Sequence, residues 1–142
     1  MAFTFTFHED AGLVTPKVGN LVIQQNADGS TPPVDNVLYL GSTDVARKIQ
    51  AASNPGVDNI IISVVDADVP AGHPASEVKL ALTLIGLDSA TPGAPLDLGV
   101  QEVLGGVPGA VAIYSRVDDT TMVVGTSTEL SFETVNAIEV AV

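Results

Sequence analysis

Residues 59–65 read Asn59-Ile60-Ile61-Ile62-Ser63-Val64-Val65, a nearly continuous run of β-branched side chains. Such a run is typical of a strand that is covered on both faces or lies at the centre of a sheet, because branched side chains pack well on a pleated surface. The segments on either side of this run have apolar residues at a period close to two, which also favours strands. The sequence therefore predicts an almost entirely β protein.

The other strand candidates alternate apolar and polar residues and are separated by turns rich in Gly, Pro, Asn and Asp. They are the N-terminal segment with Phe3, Phe5 and Phe7 and the stretches 21–25, 37–40, 77–87, 96–99, 111–117, 121–124, 129–134 and 136–142. Alternation within 77–87 predicts four inward-pointing side chains: Val78, Leu80, Leu82 and Leu84. Strands at regular spacing with Gly and Pro turns between them favour a β-sandwich.

Residues 44–52 are the one helical candidate. Thr43 or Asp44 could cap such a helix, and Val45, Ile49 and Ala52 would share a face. The same residues also fit a strand in which Val45, Arg47 and Ile49 alternate. The pattern leaves both open, so we expect at most one short helix.

The spacing of turns predicts a division near Pro55-Gly56. Residues 1–54 are less regular and have longer polar stretches, which favours an N-terminal β-strand arm or subdomain. Residues 55–142 contain about seven strand candidates, roughly the number that an immunoglobulin-like β-sandwich needs. We therefore predict a sandwich over 55–142 that carries the N-terminal part.

Charge and composition exclude several classes of partner. The chain has 17 Asp and Glu against 5 Lys and Arg, a formal net charge of −12 at pH 7. Such a field repels nucleic acids and anionic membranes, whose binding needs clustered Lys and Arg. Aromatic residues make up 4% of the chain and Trp is absent, which weighs against a base-stacking surface or a carbohydrate platform. We expect neither a nucleic-acid partner nor a membrane partner.

The N-terminus and the length of the apolar runs bear on where the protein is made. The first ten residues alternate and lack the basic start and apolar core of a signal peptide. No apolar run approaches the ~18 residues of a membrane span. Without cysteine, disulfides and thiolate chemistry are excluded. We expect a soluble protein made in the cytoplasm, which leaves only as part of a larger assembly.

Motifs for catalysis or cofactor binding are weak throughout. We expect His8 and His73 to face solvent, and no Ser or acid has the spacing of a catalytic triad. The glycine-rich stretch 105–109 lacks the Lys-Ser/Thr ending of a phosphate loop, so a turn is the favoured interpretation. The acidic residues at 66–68 and 118–119 could coordinate calcium. Asp is also common in turns without any metal, because its side chain bonds to the nearby backbone. We predict no enzyme activity, no catalytic residue, no metal site and no cofactor.

The candidate binding residues are Phe3, Phe5 and Phe7, which share one face of the first predicted strand, with Thr4, Thr6 and His8 on the other. An apolar face that the protein does not cover itself would mark an interaction site. Addition of this strand to a neighbour's sheet would be the natural mode. The alternative is that the three rings complete the protein's own core, and the pattern favours neither.

Three C-terminal stretches carry a resemblance to a known family. They are residues 94–99, residues 109–118 with Arg116-Val117-Asp118 at their end, and residues 126–134. Together they resemble the second half of an immunoglobulin- or fibronectin-type domain, without the buried Trp and cysteine pair of antibody domains. Small domains of this style occur in tailed-bacteriophage virions as head decoration (cement) proteins and as appendages on tail proteins.

The resemblance implies a structural virion protein, most readily a capsid decoration protein that forms a homo-oligomer on the shell and stabilises it. The implied partner is the major capsid protein or another virion protein, and the implied location is the virion. A tail or baseplate component is the nearest alternative. A module that binds glycans on a host surface is another, although only Tyr39 and Tyr114 could supply aromatic contacts beside the phenylalanines.

Overall fold

The computed structural model describes residues 3–17, 23–25, 33–67, 74–117, 125–127 and 130–142, and over these ranges the chain is mostly β. The strands are β1 (Thr6–His8), β2 (Ile23–Gln25), β3 (Val34–Gly41), β4 (Arg47–Ala51), β5 (Ile61–Asp66), β6 (Val78–Ala81), β7 (Leu96–Asp97), β8 (Glu102–Leu104), β9 (Val111–Val117), β10 (Gly125–Ser127), β11 (Leu130–Thr134) and β12 (Ala137–Ala141). The helical segments of the described ranges are three short 3₁₀ helices, Ala75–Glu77, Ile85–Asp88 and Val107–Gly109. The predicted β class is confirmed.

The described strands form several sheets, and all of their pairings are antiparallel. The strand orders are β1-β3-β9-β6, β11-β5-β7, β12-β4-β8 and β10-β2. The long pair β3–β9 runs in register from Val34 opposite Val117 to Leu40 opposite Val111. The strand from the β-branched run, β5, lies between β11 and β7, which is the central position that its composition predicts.

One hydrophobic cluster joins the three larger sheets. The β1-β3-β9-β6 sheet contributes Leu38, Leu40, Val78, Leu80, Ile113 and Val117; the β11-β5-β7 sheet contributes Ile62, Leu130 and Phe132; and the β12-β4-β8 sheet contributes Ile49 and Val103. Phe5, Ile60 and Leu98 complete it from the flanking segments. Because these side chains are at most 9% exposed, their burial supplies the main driving force for folding.

The segment that fits either a helix or a strand is a turn followed by a strand. Asp44 accepts hydrogen bonds from the backbone N–H of Ala46, at its side-chain Oδ1, and of Arg47, at its backbone oxygen. From Arg47 the chain enters β4, which pairs with β12 on one side and β8 on the other. The helix alternative is wrong, because two flanking strands satisfy the backbone of β4 and bury Ile49 completely.

The strand predicted over 77–87 ends early, at Ala81. Val78 and Leu80 point inward as predicted, but Leu82 and Leu84 are 39% and 52% exposed, so their inward assignment is wrong. The backbone N–H of Gly86 donates to the Thr83 hydroxyl, and this local bond favours a turn over a continued strand.

Strands from both sides of the predicted boundary between residues 54 and 55 share sheets. From the N-terminal side, β3 pairs with β9, and β4 lies between β8 and β12. Leu38 and Ile49 also lie in the same cluster as Ile62. The division into an N-terminal part, residues 1–54, and a sandwich over residues 55–142 stays a prediction, and the shared sheets weigh against it.

Candidate docking groove

The phenylalanines of the predicted binding strand differ strongly in exposure. Phe3 is 46% exposed, Phe7 is half-buried against the core, and Phe5 is 2% exposed and belongs to the core itself. Phe5 therefore completes the protein's own core, as one of the two interpretations had it. Contact of Phe3, Phe5 and Phe7 with a partner stays a prediction.

The polar face of the same strand is not uniformly exposed. Thr6 is exposed, but His8 is 5% exposed, so the expectation that His8 faces solvent is wrong. His8 lies opposite Tyr39 of β3 on one side and opposite Pro16 on the other. Directly opposed residues share a face of the ladder, so these two neighbours flank the ring. The His8 Nδ1 atom lies 3.1 Å from the backbone oxygen of Thr6.

A groove of about 400 Å³ opens beside Phe5 and Phe7, between the β1 region and β11. The described residues that line it are Phe5, Thr6, Phe7, Lys17, Leu38, Ser131, Phe132, Glu133 and Thr134. Phe7 and Phe132 meet edge to face, with ring centroids 5.9 Å apart and an interplanar angle of 70°. Such edge-to-face pairs add a favourable quadrupole interaction to the burial of both rings.

The position of the groove follows from the strand orders. β1 is an edge strand of the β1-β3-β9-β6 sheet, and β11 is an edge strand of the β11-β5-β7 sheet. The groove therefore lies where the edges of two sheets approach each other. Buried Phe5, Leu38 and Phe132 form its apolar floor, whereas exposed Thr6 and Glu133 lie at its rim. An apolar floor with a polar rim is the usual anatomy of a binding surface.

A buried carboxylate holds the N-terminal segment beside the groove. Glu139 on β12 has a side chain that is 3% exposed. Its Oε2 accepts a hydrogen bond from the backbone N–H of Thr4 at 2.6 Å, and its Oε1 accepts one from the Thr4 hydroxyl at 2.8 Å. Arg47 Nε donates to the same Oε1 at 2.9 Å. The Ser42 hydroxyl donates in turn to Thr4 Oγ1 at 2.8 Å, which extends the network to the residue directly after β3.

Burial and hydrogen bonding act on Glu139 in opposite directions. Burial by itself raises the pKa of the carboxyl, but the hydrogen bonds from Arg47, Thr4 and the Phe5 backbone together outweigh it and hold that pKa below its ordinary value. Glu139 is therefore ionised at neutral pH, and the charge strengthens every bond that it accepts. This arrangement ties the segment directly before Phe5 to β12 and β4.

The candidate chemical groups do not assemble into a reactive site within the described ranges. No three His, Asp or Glu side chains there converge as metal ligands would. His73, Asp68, Asp118 and Asp119, weighed as ligands or catalytic groups, lie outside the described residues. In the same ranges no helix has both the length and the apolar composition to cross a membrane.

The glycine-rich stretch 105–109 is a turn between β8 and β9 that contains the 3₁₀ helix Val107–Gly109. A Cβ at Gly105 would collide with the backbone oxygen of Asp44, and one at Gly109 would collide with the backbone oxygen of Leu104. Glycine is needed at these positions because two backbone segments approach closely, which is a sufficient reason without any phosphate.

Leu38, Phe132 and Thr134 are among the groove residues that sequence reasoning did not assign to the site. All three lie on predicted strands, and the alternation of Leu130, Ser131 and Phe132 predicts that Phe132 faces inward. The alternation does not predict that β11 meets β1, because that approach joins residues more than 100 positions apart. No local pattern could have revealed it.

Comparison with known proteins identifies no relative. No protein-family model, no curated protein and no solved structure matches this chain.

Proposed function

We propose that this protein is a non-enzymatic structural component of a virus particle, a capsid decoration protein that binds to a shell and stabilises it. The observation that carries the binding role is the groove between β1 and β11, whose buried aromatic floor is preformed and whose rim is polar. Pockets lined by aromatic anchors and surrounded by polar groups are where binding energy concentrates in protein interfaces. The assignment to a phage particle rests on the resemblance to small immunoglobulin-like virion proteins.

The proposal includes the finer fold. We infer an immunoglobulin-like sandwich in which the β1-β3-β9-β6 and β11-β5-β7 sheets face each other as its layers. The contact of Phe7 with Phe132 and the common burial of Ile113 and Ile62 support this arrangement. Layers packed face to face lie about 10 Å apart. A separation between these two sheets, measured with spin labels, that is far from about 10 Å would contradict it.

The proposed partners are the major capsid protein and other copies of this chain. Acidic character is compatible with this role, because a formal charge of −12 keeps unassembled copies soluble and apart from nucleic acid. The proposed location is the virion, after synthesis in the host cytoplasm. A tail or baseplate component would use the same groove on a different lattice.

Particles assembled without the protein test the proposal. Their shells should lack a surface projection in negative-stain images and should release DNA at a lower temperature than complete particles. Adding back the purified chain should restore both properties. Shells that are fully decorated and equally heat-resistant without this protein would refute the decoration role.

A matched pair of variants tests whether the groove makes the contact. Thr6→Lys places a charged chain at an exposed position on the rim and should abolish restoration. Val57→Lys is the control, since Val57 is 71% exposed and does not line the groove. Equal restoration by both variants would show that binding uses another surface.

A further inference from the structure

The strand β12 forms one edge of the β12-β4-β8 sheet, with β4 on one side and no described strand on the other. Solvent reaches the backbone along this edge. The side chain of Glu139 is 3% exposed, yet the residue as a whole is partly exposed, so the exposed part of Glu139 is its backbone. Ala141, further along the strand, is exposed as a whole. The edge is therefore open at these residues.

The direction of the main-chain groups at this edge follows from the bonds at the two ends of the β4–β12 pair. The Ala52 N–H donates to the Asn136 oxygen, and the Val142 N–H donates to the Ala46 oxygen. Both bonds fall on even-numbered residues of this segment, and hydrogen-bonded positions alternate along an antiparallel ladder. The N–H and C=O groups of residues 137, 139 and 141 therefore point away from the sheet.

This edge lacks the features that usually keep an edge strand from pairing with another chain, which are exposed charges, prolines and bulges. Two other edge strands have such a charge, because β8 carries exposed Glu102 and β11 carries exposed Glu133. β12 contains no Lys, Arg or Pro, and its register with β4 is regular from Ala137 to Ala141. Its one charged residue, Glu139, is turned inward and accepts a hydrogen bond from Arg47.

The outer face of the same strand is apolar. Ile138 is 41% exposed, Val142 directly after the strand is 72% exposed, and Val140 between them is partly exposed. Lys48 lies opposite Val140 on β4, and Glu102 balances its charge at 2.6 Å. In a chain of net charge −12, copies repel each other least where the local surface carries no net charge, as it does here.

We propose that β12 of one copy of this chain pairs with β12 of a second copy, antiparallel and about a two-fold axis at Val140. The two β12-β4-β8 sheets then become one continuous sheet. A second copy is the occupant because an unprotected edge is a template for edge-to-edge pairing, and every folded copy presents the same edge. A two-fold contact uses this edge in both copies and closes. The inference goes beyond the proposed function, since it concerns a surface other than the groove.

Charge and side-chain fit place the axis at Val140. In this register Glu139 lies opposite Ala141 of the second copy, and Ile138 lies opposite Val142 of the second copy. An axis at Glu139 would set the two Glu139 side chains opposite each other, and like charges directly opposite are destabilising. An axis at Ile138 would leave Val142, the most exposed of the three apolar side chains, without a contact.

Cysteine cross-linking tests this register, and the chain has no native cysteine to interfere. Val140→Cys should form a disulfide-linked dimer with itself, because opposite residues at a non-hydrogen-bonded position have Cα atoms about 4.5 Å apart, which a disulfide can span. Ile138→Cys should link to Val142→Cys when the two variants are mixed, but not to itself. Val57→Cys is the control for random collision, since Val57 is 71% exposed and distant in sequence from β12, and it should stay almost entirely monomeric.

A second measurement uses charge in place of cross-linking. Val140→Lys sets two like charges opposite each other at the axis and should raise the dissociation constant of the dimer by about tenfold or more in sedimentation equilibrium. Val57→Lys should leave that constant unchanged. Thermal melting checks that both variants remain folded.

Equal product from Val140→Cys and Val57→Cys, or self-linkage of Ile138→Cys, would overturn the inference. Wild-type protein that stays monomeric in sedimentation equilibrium at every concentration would also overturn it. A monomeric chain that still coats shells would refute this contact and leave the proposed function standing. A dimer linked through Val140→Cys that does not bind shells would support this contact and count against the proposed function.

Discussion

Glu139 is the residue at which the N-terminal segment, β4 and β12 meet. Its carboxylate accepts hydrogen bonds from Thr4 and Arg47, whose positions in the chain are 135 and 92 residues away. Glu102 on β8 also accepts a bond from a β4 base, Lys48, but its side chain is 45% exposed. The two ion pairs involve the same sheet and differ in burial and in the two further bonds that Glu139 accepts from Thr4. They allow a buried and an exposed pair to be compared in one protein.

Replacing Glu139 by Gln should lower the free energy of unfolding by about 2–3 kcal/mol at pH 7, because it removes charge-assisted bonds and leaves Arg47 without its counter-charge. Glu102→Gln should cost less than about 1 kcal/mol, as exposed pairs do. Urea denaturation measures both. Equal losses would contradict the role of Glu139 as an anchor.

The contribution of Glu139 to the free energy of unfolding depends on pH, and the direction of that dependence follows from its lowered pKa. Because its folded-state pKa is held below its ordinary value of 4.5, the stabilisation from Glu139 is fully present above that value and is lost as the pH falls through the folded pKa. The difference in stability between wild type and Glu139→Gln should therefore shrink between pH 7 and pH 3. A difference that grows on acidification would contradict the depressed pKa.

The two buried serines make a second residue-scale comparison. Ser115 Oγ is buried without a hydrogen-bond partner among the described residues, whereas Ser42 Oγ donates to Thr4 and accepts from the Asp44 backbone. Ser115→Ala should change the unfolding free energy by less than about 0.5 kcal/mol or raise it. Ser42→Ala should lower it by about 1–2 kcal/mol. A larger loss at Ser115 in thermal melts would show that its hydroxyl has a partner.

At the scale of elements, local pattern predicts strands well where alternation and turn residues agree. β9, β11 and β12 lie within predicted stretches, and β5 occupies the predicted central place. The pattern failed where a side chain bonds to the nearby backbone, as Thr83 does after β6. It left β4 ambiguous, because only its pairing with two distant strands decides between helix and strand.

Prediction of the groove from sequence is also limited by contacts between distant residues. Phe5 and Phe7 could be singled out from sequence because they alternate on one short strand. Their different roles depend on Glu139, which bonds to Thr4, and on Phe132, which contacts Phe7. Both lie near the other end of the chain. Non-local contacts of this kind leave no periodic signal in a single sequence.

The β1 region yields a prediction that separates core from surface. Phe5→Ala should destabilise the protein by about 3–5 kcal/mol, since it opens a cavity beside Leu38. Phe3→Ala should cost less than about 1 kcal/mol, because Phe3 is 46% exposed. Thermal melting of both variants measures the difference. Similar losses would contradict the placement of Phe5 in the core.

At the scale of the whole molecule, strands from the first 54 residues are built into two of the three larger sheets. β3 is the neighbour of β9, and β4 is the centre of β12-β4-β8. Removing residues 1–54 would expose the apolar faces of Ile113 and Val103 and leave the backbones of β8 and β12 unpaired. The core is therefore shared by the two predicted parts.

The fragment of residues 55–142 should consequently fail to fold by itself. We expect a far-ultraviolet circular dichroism spectrum typical of an unfolded chain, with no cooperative melting transition, whereas the full chain melts cooperatively. A fragment that melts cooperatively would support the predicted division at residues 54 and 55 and contradict a shared core.

The central claim is that the protein coats a shell by means of a preformed apolar groove. Co-sedimentation of the purified, folded chain with undecorated shells tests this most directly. The account predicts saturable binding with a fixed number of copies per shell, retained by Val57→Lys and lost in Thr6→Lys. Folded wild-type protein that stays in the supernatant at every concentration would contradict it.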